Sequence, residues 1–344
     1  MNHVRRNQPT DGDETLRTFG SLSTFGDEIH EALSLYWSSA EKILLDSDVQ
    51  LCPPRPEYFA IESNLFSTLF LYSYLQAGMT RPRRVFYAAV NQCLRGMVTG
   101  CDNLLDDEYK QTLDTDLPAE GTRFRSVLDI MASDRVLFDL LIDNHQRGEL
   151  TADQVRAASS ASLHGLLSSG VQEAGEEAGI THRLPPDEVL RVVHHYKTGL
   201  LFQCPWTLPA LLEDIDVGTI DRTTQALYQL GMGCQVLDDM VDLASDLRMK
   251  RHNYAASLIC HDTDSAEPAR LQDWLRELPA SEDEAGLLLA FPRARQRAVM
   301  TARDYLEAGT RDLFAKEHRQ LAQPIIELLI ERIGADRFML DTVA

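Results

Sequence analysis

Apolar residues recur every three to four positions along almost the whole chain, the period of helices that bury one face. "EIHEALSLYWSSAEKILLD" shows it first. "EYFAIESNLFSTLFLYSYLQAG" is apolar all round, as a helix inside a bundle would be, and Gly78 supplies its stop. Pro82 suits the first turn of the next helix, which runs through "RRVFYAAVNQCLRGMVTGCDNLLDDEY". The same period predicts helices over 122–146, 151–176, 185–213, 219–247, 266–277, 285–315 and 318–338. The breaks fall at "RGELTAD", with Thr151 as a cap, at "HRLPPDE" and at "EDIDVG". Strand signals are almost absent, and no linker or repeat divides the chain. The expectation is an all-α protein, a single large helical bundle of roughly ten helices over 21–344. The polar opening "MNHVRRNQPTDGDE" lacks the apolar core of a signal peptide and is expected to be disordered to about residue 20.

Composition narrows the partners. Lys+Arg 33 against Asp+Glu 53 give a formal charge of −20. That argues against nucleic acid, whose phosphates reward clustered positive charge. The cysteines at 52, 93, 101, 204, 234 and 260 form no zinc-type pairing and mostly sit in apolar helical patterns, so a cytoplasmic protein with reduced thiols is expected. No apolar run reaches the ~18 residues of a membrane span.

The chemistry gathers in two acid-rich stretches. "GCDNLLDDEYK" follows an apolar run and puts Asp102 and Asp106 four apart, on one helical face. "GCQVLDDMVDLASDLRMKRHN" places Asp238, Asp242 and Asp246 along one stripe, with Asp239 alongside. Like charges at this spacing repel, so local stability does not account for them. Each stretch alone reads as a solvated face. Two in one all-α chain, each following an apolar run, point to Mg²⁺, which prefers carboxylate oxygens and bridges to substrate phosphates.

The spacings Asp102-Asn-Leu-Leu-Asp106-Asp107 and Gln235-x-x-Asp238-Asp239-x-x-Asp242, with "YKTGLLF" at Tyr196 to Phe202 between them, resemble class I isoprenoid synthases, specifically the trans-prenyl diphosphate synthases. The resemblance covers residues from about 50 to 255. It implies a helical bundle around a deep apolar cavity, with the two acid motifs facing each other across its mouth. It further implies three Mg²⁺ ions that draw the diphosphate off an allylic prenyl substrate, and it makes a homodimer the default. Carried over, Asp102, Asp106, Asp238 and Asp242 ligate metal, and Lys197 contacts diphosphate; a structural Lys–acid pair is the bland alternative. Thr198 and Gln235 lie near the reacting allylic carbons. Asp246, Lys250 and Arg251 fall where further metal or phosphate contacts are expected.

The departures concern a second substrate. Asn103 replaces an Asp of the first motif. Chain-elongating members bind isopentenyl diphosphate with a GGKxxR segment and an Arg pair after the first motif. This chain keeps Arg55-Pro56 in "LCPPRPEYF" and has no Arg pair in "EYKQTLDTDLPAEGTRFRS". Arg95, seven residues before Asp102, stands where a His or Gln near isopentenyl diphosphate is usual; a helix-surface charge is the other reading. Met97 and Val98 occupy positions that limit chain length, and Gly96 and Gly100 beside them either leave depth for a prenyl chain of C15 or longer or serve close helix packing. The expectation is a Mg²⁺-dependent terpene synthase acting on one prenyl diphosphate. The alternative is a trans-prenyltransferase, and a non-catalytic partner subunit comes third.

Overall fold

The structure, a computed structural model, describes residues 25–105, 109–277 and 286–339. The expected disorder of residues 1–20 and the expected metal ligand Asp106 therefore lie outside the described residues. The chain is all-α: among the described residues the only β feature is one isolated bridge, Leu51 to Thr115. It divides into two compact units, one of residues up to Ser162 together with Leu208–Ile215, the other of Leu163–Thr207 and Asp216 onward.

The first unit is built on α1 (Phe25–Leu44), α2 (Leu65–Gln76), α3 (Arg81–Leu105) and α4 (Thr122–Gln146), with α5 (Ala152–Glu176) entering it as far as Ser162. α3 packs against both α1 and α4. The helix expected over 57–78 begins only at Leu65, after two short 3-10 turns at Pro56–Phe59 and Glu62–Asn64. The buried Asn64 explains this, because its amide nitrogen donates to the carbonyls of Tyr58 and Ala60 and holds the turns in place. Gly96 and Gly100 turn out to serve packing. A Cβ on Gly100 would stand 2.7 Å from the Ser126 carbonyl and from Ile130 Cγ1, and one on Gly96 would strike the Ser133 side chain of α4.

Asp129 of α4 is buried, and burial pushes its carboxyl up to about 6, against the backbone amides of Thr112 and Leu113. An unfolded Asp titrates near 3.9. The raised folded value means that stability present below about pH 4 is lost as pH rises through about 6, by up to about 3 kcal/mol. Asp129→Asn is expected to flatten this part of the stability profile and to be the more stable form above pH 6, read by urea unfolding between pH 4 and 7.

The second unit centres on α6 (Val217–Val241), packed antiparallel along α10 (Pro292–Leu313). α7 (Leu243–Met249), α8 (Tyr254–Cys260), α9 (Glu267–Glu277) and α11 (Ala322–Ile333) complete it. The expected helix 219–247 is interrupted only at Asp242, where one residue leaves helical geometry between α6 and α7. The expected 185–213 helix differs more. It is a π-helical segment over Val189–Gly199, then a 3-10 stretch over Leu201–Trp206 that contains Pro205, then a short helix Thr207–Leu212. Proline removes an amide donor and collides with the preceding turn, which accounts for the irregular stretch over Leu201–Trp206. α8 was not foreseen; Asn253 caps it through the Ala256 amide at 2.9 Å.

Candidate functional site

The second unit carries most of the candidate residues. Asp238 and Asp242 are exposed at the end of α6, and Asp246 is half-buried one turn further on α7. Asp238 Oδ2 accepts from Gln235 Nε2 at 3.3 Å, and Asp246 Oδ2 accepts from Asn253 Nδ2 at 2.8 Å. Burial, then the charges of Asp239 and Asp242, push the Asp246 carboxyl well above its usual range, opposed by Asn253 and Lys197. A stripe of carboxylates that repel one another, open to solvent at Asp238 and Asp242, fits a divalent cation. Among the described residues no three acids, histidines or cysteines converge on one point. Mg²⁺ takes one or two carboxylates and completes its shell with water and phosphate oxygens.

Lys197 lies on the π-helical segment, and Arg251 is buried after α7. The structure brings them together on Glu173 of α5: Lys197 Nζ to Oε1 is 2.8 Å, and Arg251 Nη1 to Oε2 is 3.2 Å. Burial alone would lower the Lys197 pKa, but Glu173 first, then Asp246 and Asp239, keep it raised, so the ammonium stays charged. One carboxylate thus gathers two cations, a pairing suited to a diphosphate. Sequence reasoning missed Glu173, because in "VQEAGEE" it looks like any solvated acid. Lys250 is the left-handed residue closing α7, with φ 55°; it is exposed, and its carbonyl accepts from the Ile180 amide at 2.8 Å.

Thr198 and Gln235 meet, the Thr198 hydroxyl donating to Gln235 Oε1. Gln235 Nε2 donates to Asp239 Oδ1 at 3.0 Å. Asp239 also accepts from His194 Nε2 at 2.8 Å and from the Tyr254 amide. Burial would raise Asp239, but His194 foremost holds its carboxyl below the usual range.

In the first unit, Asp102 is half-buried near the end of α3. Asn103 is not placed to coordinate. Its Oδ1 accepts from the Lys110 amide at 2.8 Å and its Nδ2 donates to the Lys110 carbonyl at 3.0 Å. Only an amide can both accept and donate here, which an aspartate could not do. Met97 is buried and Val98 half-buried on α3.

Arg95 is exposed on α3, at the mouth of a hollow. With Arg55 it lines a cavity of about 270 Å³ whose wall includes Trp37, Tyr58 and Asn64; Arg95 Nη1 reaches Asn64 Oδ1 at 3.3 Å. The bridge between Leu51 and Thr115 ties the two flanking segments together, Cys52 N to Asp114 O at 2.9 Å and Asp116 N to Gln50 O at 3.0 Å. The segment after the first acid motif supplies Gln111, Thr112 and Asp114 to the wall, and Glu57 faces in as well. Two guanidiniums in one concave site can grip an anion, each through paired N–H donors.

Residues 175–277 match the polyprenyl synthetase family, a span that holds Lys197, Gln235 and the second acid stripe. The fold is similar to that of a polyprenyl synthase from Caulobacter crescentus, solved with calcium and isoprenyl diphosphate, at 13% identity and a TM-score of 0.61, covering 96% of this chain and 100% of that one. It is also similar to a geranylgeranyl pyrophosphate synthase from Lactobacillus brevis, at 18% identity and a TM-score of 0.59, covering 92% and 98%. The Geoglobus acetivorans geranylgeranyl pyrophosphate synthetase gives 16% identity, a TM-score of 0.56 and coverage of 90% and 97%. No curated protein matches. Residues 175–277 are thus similar to the polyprenyl synthetase family, and the all-α fold is similar to that of these solved synthases. The family match supports an enzyme, and of the two activities expected from the sequence it supports the prenyltransferase over the terpene synthase. Among the described residues no helix is long and apolar enough to cross a membrane.

Proposed function

We propose that the protein is a Mg²⁺-dependent trans-prenyltransferase that ionises an allylic prenyl diphosphate of C15 or longer and joins the prenyl group to an acceptor. The carrying observation is the cavity that pairs Arg55 with Arg95, a place for a second, anionic substrate. Asp238, Asp242, Asp246 and Asp102, with Asp106, would hold the metal, three ions in all. Bound Mg²⁺ supplies Lewis-acid stabilisation of the departing diphosphate. Lys197, paired with Arg251 on Glu173, adds fixed positive charge where the leaving group gathers negative charge as the C–O bond breaks. Lys250, exposed at the turn after α7, is free to reach the outer phosphate. The Thr198 and Gln235 oxygens present partial negative charge to the allylic cation. The acceptor's double bond then attacks the cation, a C–C bond forms and a proton leaves. Met97 and Val98 limit how deep the prenyl chain reaches. The same reading takes the working form to be a cytoplasmic homodimer, and sedimentation at the mass of one chain would overturn that part.

A second reading has its own support. Glu57 and Asp114 share the cavity with the two arginines, and no arginine pair follows the first motif. A diphosphate needs several charge-assisted bonds to offset its desolvation, so this balance favours a terpene synthase that needs no second diphosphate.

Purified protein with Mg²⁺ and farnesyl or geranylgeranyl diphosphate, with and without isopentenyl diphosphate, decides between them. The expected products are longer by one five-carbon unit and appear only with isopentenyl diphosphate. Arg95→Ala should then raise the KM for isopentenyl diphosphate by ~10-fold or more, the loss of one charge-assisted contact, and leave the allylic KM unchanged. Hydrocarbon released from the allylic substrate alone would replace the transferase reading with the cyclase.

A further inference from the structure

The second unit holds a buried pair, His194 and Asp239, that the proposed reaction does not use. His194 is 1% exposed and Asp239 3%. They belong to a hydrogen-bonded chain of four side chains whose two ends lie on one helical segment. His194 Nε2 donates to Asp239, Gln235 Nε2 donates to Asp239, the Thr198 hydroxyl donates to Gln235 Oε1, and Thr198 lies one turn after His194. Two members stand four apart on the Val189–Gly199 segment and two stand four apart on α6. π-helical turns are rare and cluster at functional sites. Here the π-helical segment places both His194 and Thr198 against α6.

This hydrogen-bonded chain has a direction. A glutamine amide donates only through its nitrogen, and that nitrogen faces two carboxylates, Asp239 at 3.0 Å and Asp238 at 3.3 Å. Its oxygen is therefore turned toward Thr198 and can only accept. Asp239 sets this polarity, and His194 supplies Asp239 with a buried side-chain donor that keeps its carboxylate in register. His194 Nδ1 has no hydrogen-bond partner among the described residues. Burying an unpaired nitrogen costs stability, so fold economy alone does not account for a histidine at this position. Asp239 thus has a different task from Asp238: it faces inward and orients.

We propose that His194 is a positioning residue: acting through Asp239, it fixes the Gln235 amide so that Gln235 Oε1 and Thr198 Oγ1 stay turned toward the allylic cation. This rests on the proposed ionisation of a prenyl diphosphate. Without that orientation the cation loses its oxygen neighbours, the barrier to C–O cleavage rises, and the cation that does form is open to water. Capture by water forms a C–O bond and releases a proton, giving the prenyl alcohol.

The test compares His194→Leu, which removes the donor, with His194→Gln, whose amide nitrogen can reach the same carboxylate. Leu is expected to lower kcat by ~10–100-fold, as loss of an orienting partner does, with the KM for the prenyl diphosphate changed less than threefold. The fraction of substrate emerging as prenyl alcohol should rise, and Gln should restore both. If Leu does not fold, His194→Asn, polar but too short to reach, takes its place with the same expectations. A loss of activity that merely follows the folded fraction, or an unchanged alcohol fraction, would overturn the proposal. If the wild-type protein releases no diphosphate from any allylic substrate, the proposed function itself fails. A crystal structure of the Leu or Asn variant still decides the positioning claim: a turned Gln235 amide supports it, and an amide left in place refutes it.

Discussion

Asp238→Ala is expected to lower turnover of any allylic prenyl diphosphate by at least ~100-fold, with the unfolding midpoint close to wild type. The carboxylate is exposed and its contact to Gln235 is a long 3.3 Å, so little folding energy depends on that contact. It stands at the solvent-facing end of a stripe whose inner member, Asp246, is strained by burial and by neighbouring acids. Removing Asp238 relieves repulsion and, on the proposed function, deletes a metal ligand. Stability and activity should therefore move apart, activity falling while stability holds or rises slightly. Asp238→Asn keeps shape and an oxygen but not the charge, and should fall nearly as far. Raising Mg²⁺ should recover part of the activity of both, since weakened affinity is answered by concentration. Wild-type activity in Asp238→Ala would return the stripe to a solvated face and leave the partner-subunit reading standing.

How far such a site can be read from sequence depends on the range of the interactions that make it. The 122–146 helix follows from periodicity and coincides with α4, because nothing breaks its local pattern. The 185–213 run carries the same periodicity, yet its backbone turns π-helical from Val189 and is broken again near Leu201, where Pro205 forbids a regular helix. The acid stripe was legible, since four-residue spacing is visible in one dimension. The Glu173 bridge was not: its partners Lys197 and Arg251 are 24 and 78 residues away in the chain, and only packing brings them together. His194 lay three residues before Lys197 inside the recognised segment, a polar residue on a buried face, and could have been marked as unexplained. Asn103 was legible only as a replaced Asp of the first motif; the structure makes it a clasp on Lys110. Arg55 and Arg95 were each noted in the sequence, but that they line one cavity required the fold.

Gly309→Ala is expected to destabilise the protein, although alanine is the better helix former. α6 and α10 meet through two reciprocal notches. A Cβ on Gly309 would stand 2.8 Å from Leu230 Cγ, 2.9 Å from the Ala226 carbonyl and 2.9 Å from the Leu230 amide. One on Gly233 would stand 2.7 Å from Leu306 Cγ and 3.1 Å from the Ala302 carbonyl. Each leucine rests on the other helix's glycine, and two of the three contacts at Gly309 are backbone. A side chain could rotate aside, but backbone yields only if the helices separate, which loosens the neighbouring contacts along their length. Alanine gains about 0.5–1 kcal/mol of helix propensity. Overpacking costs about 1–3 kcal/mol, so the net sign is destabilising. Gly309→Leu should cost more still, and Leu230→Ala in the Gly309→Ala background should not restore wild-type stability, because the backbone contacts persist. Gly170 on α5 is the control: no atom lies within 4 Å of its added Cβ, so Gly170→Ala should stabilise by about 0.5–1 kcal/mol. Opposite signs for the same substitution at 170 and 309, read in one series of urea titrations, would place the second unit's stability in the close approach of α6 and α10. Equal signs would mean that the helices can part at little cost.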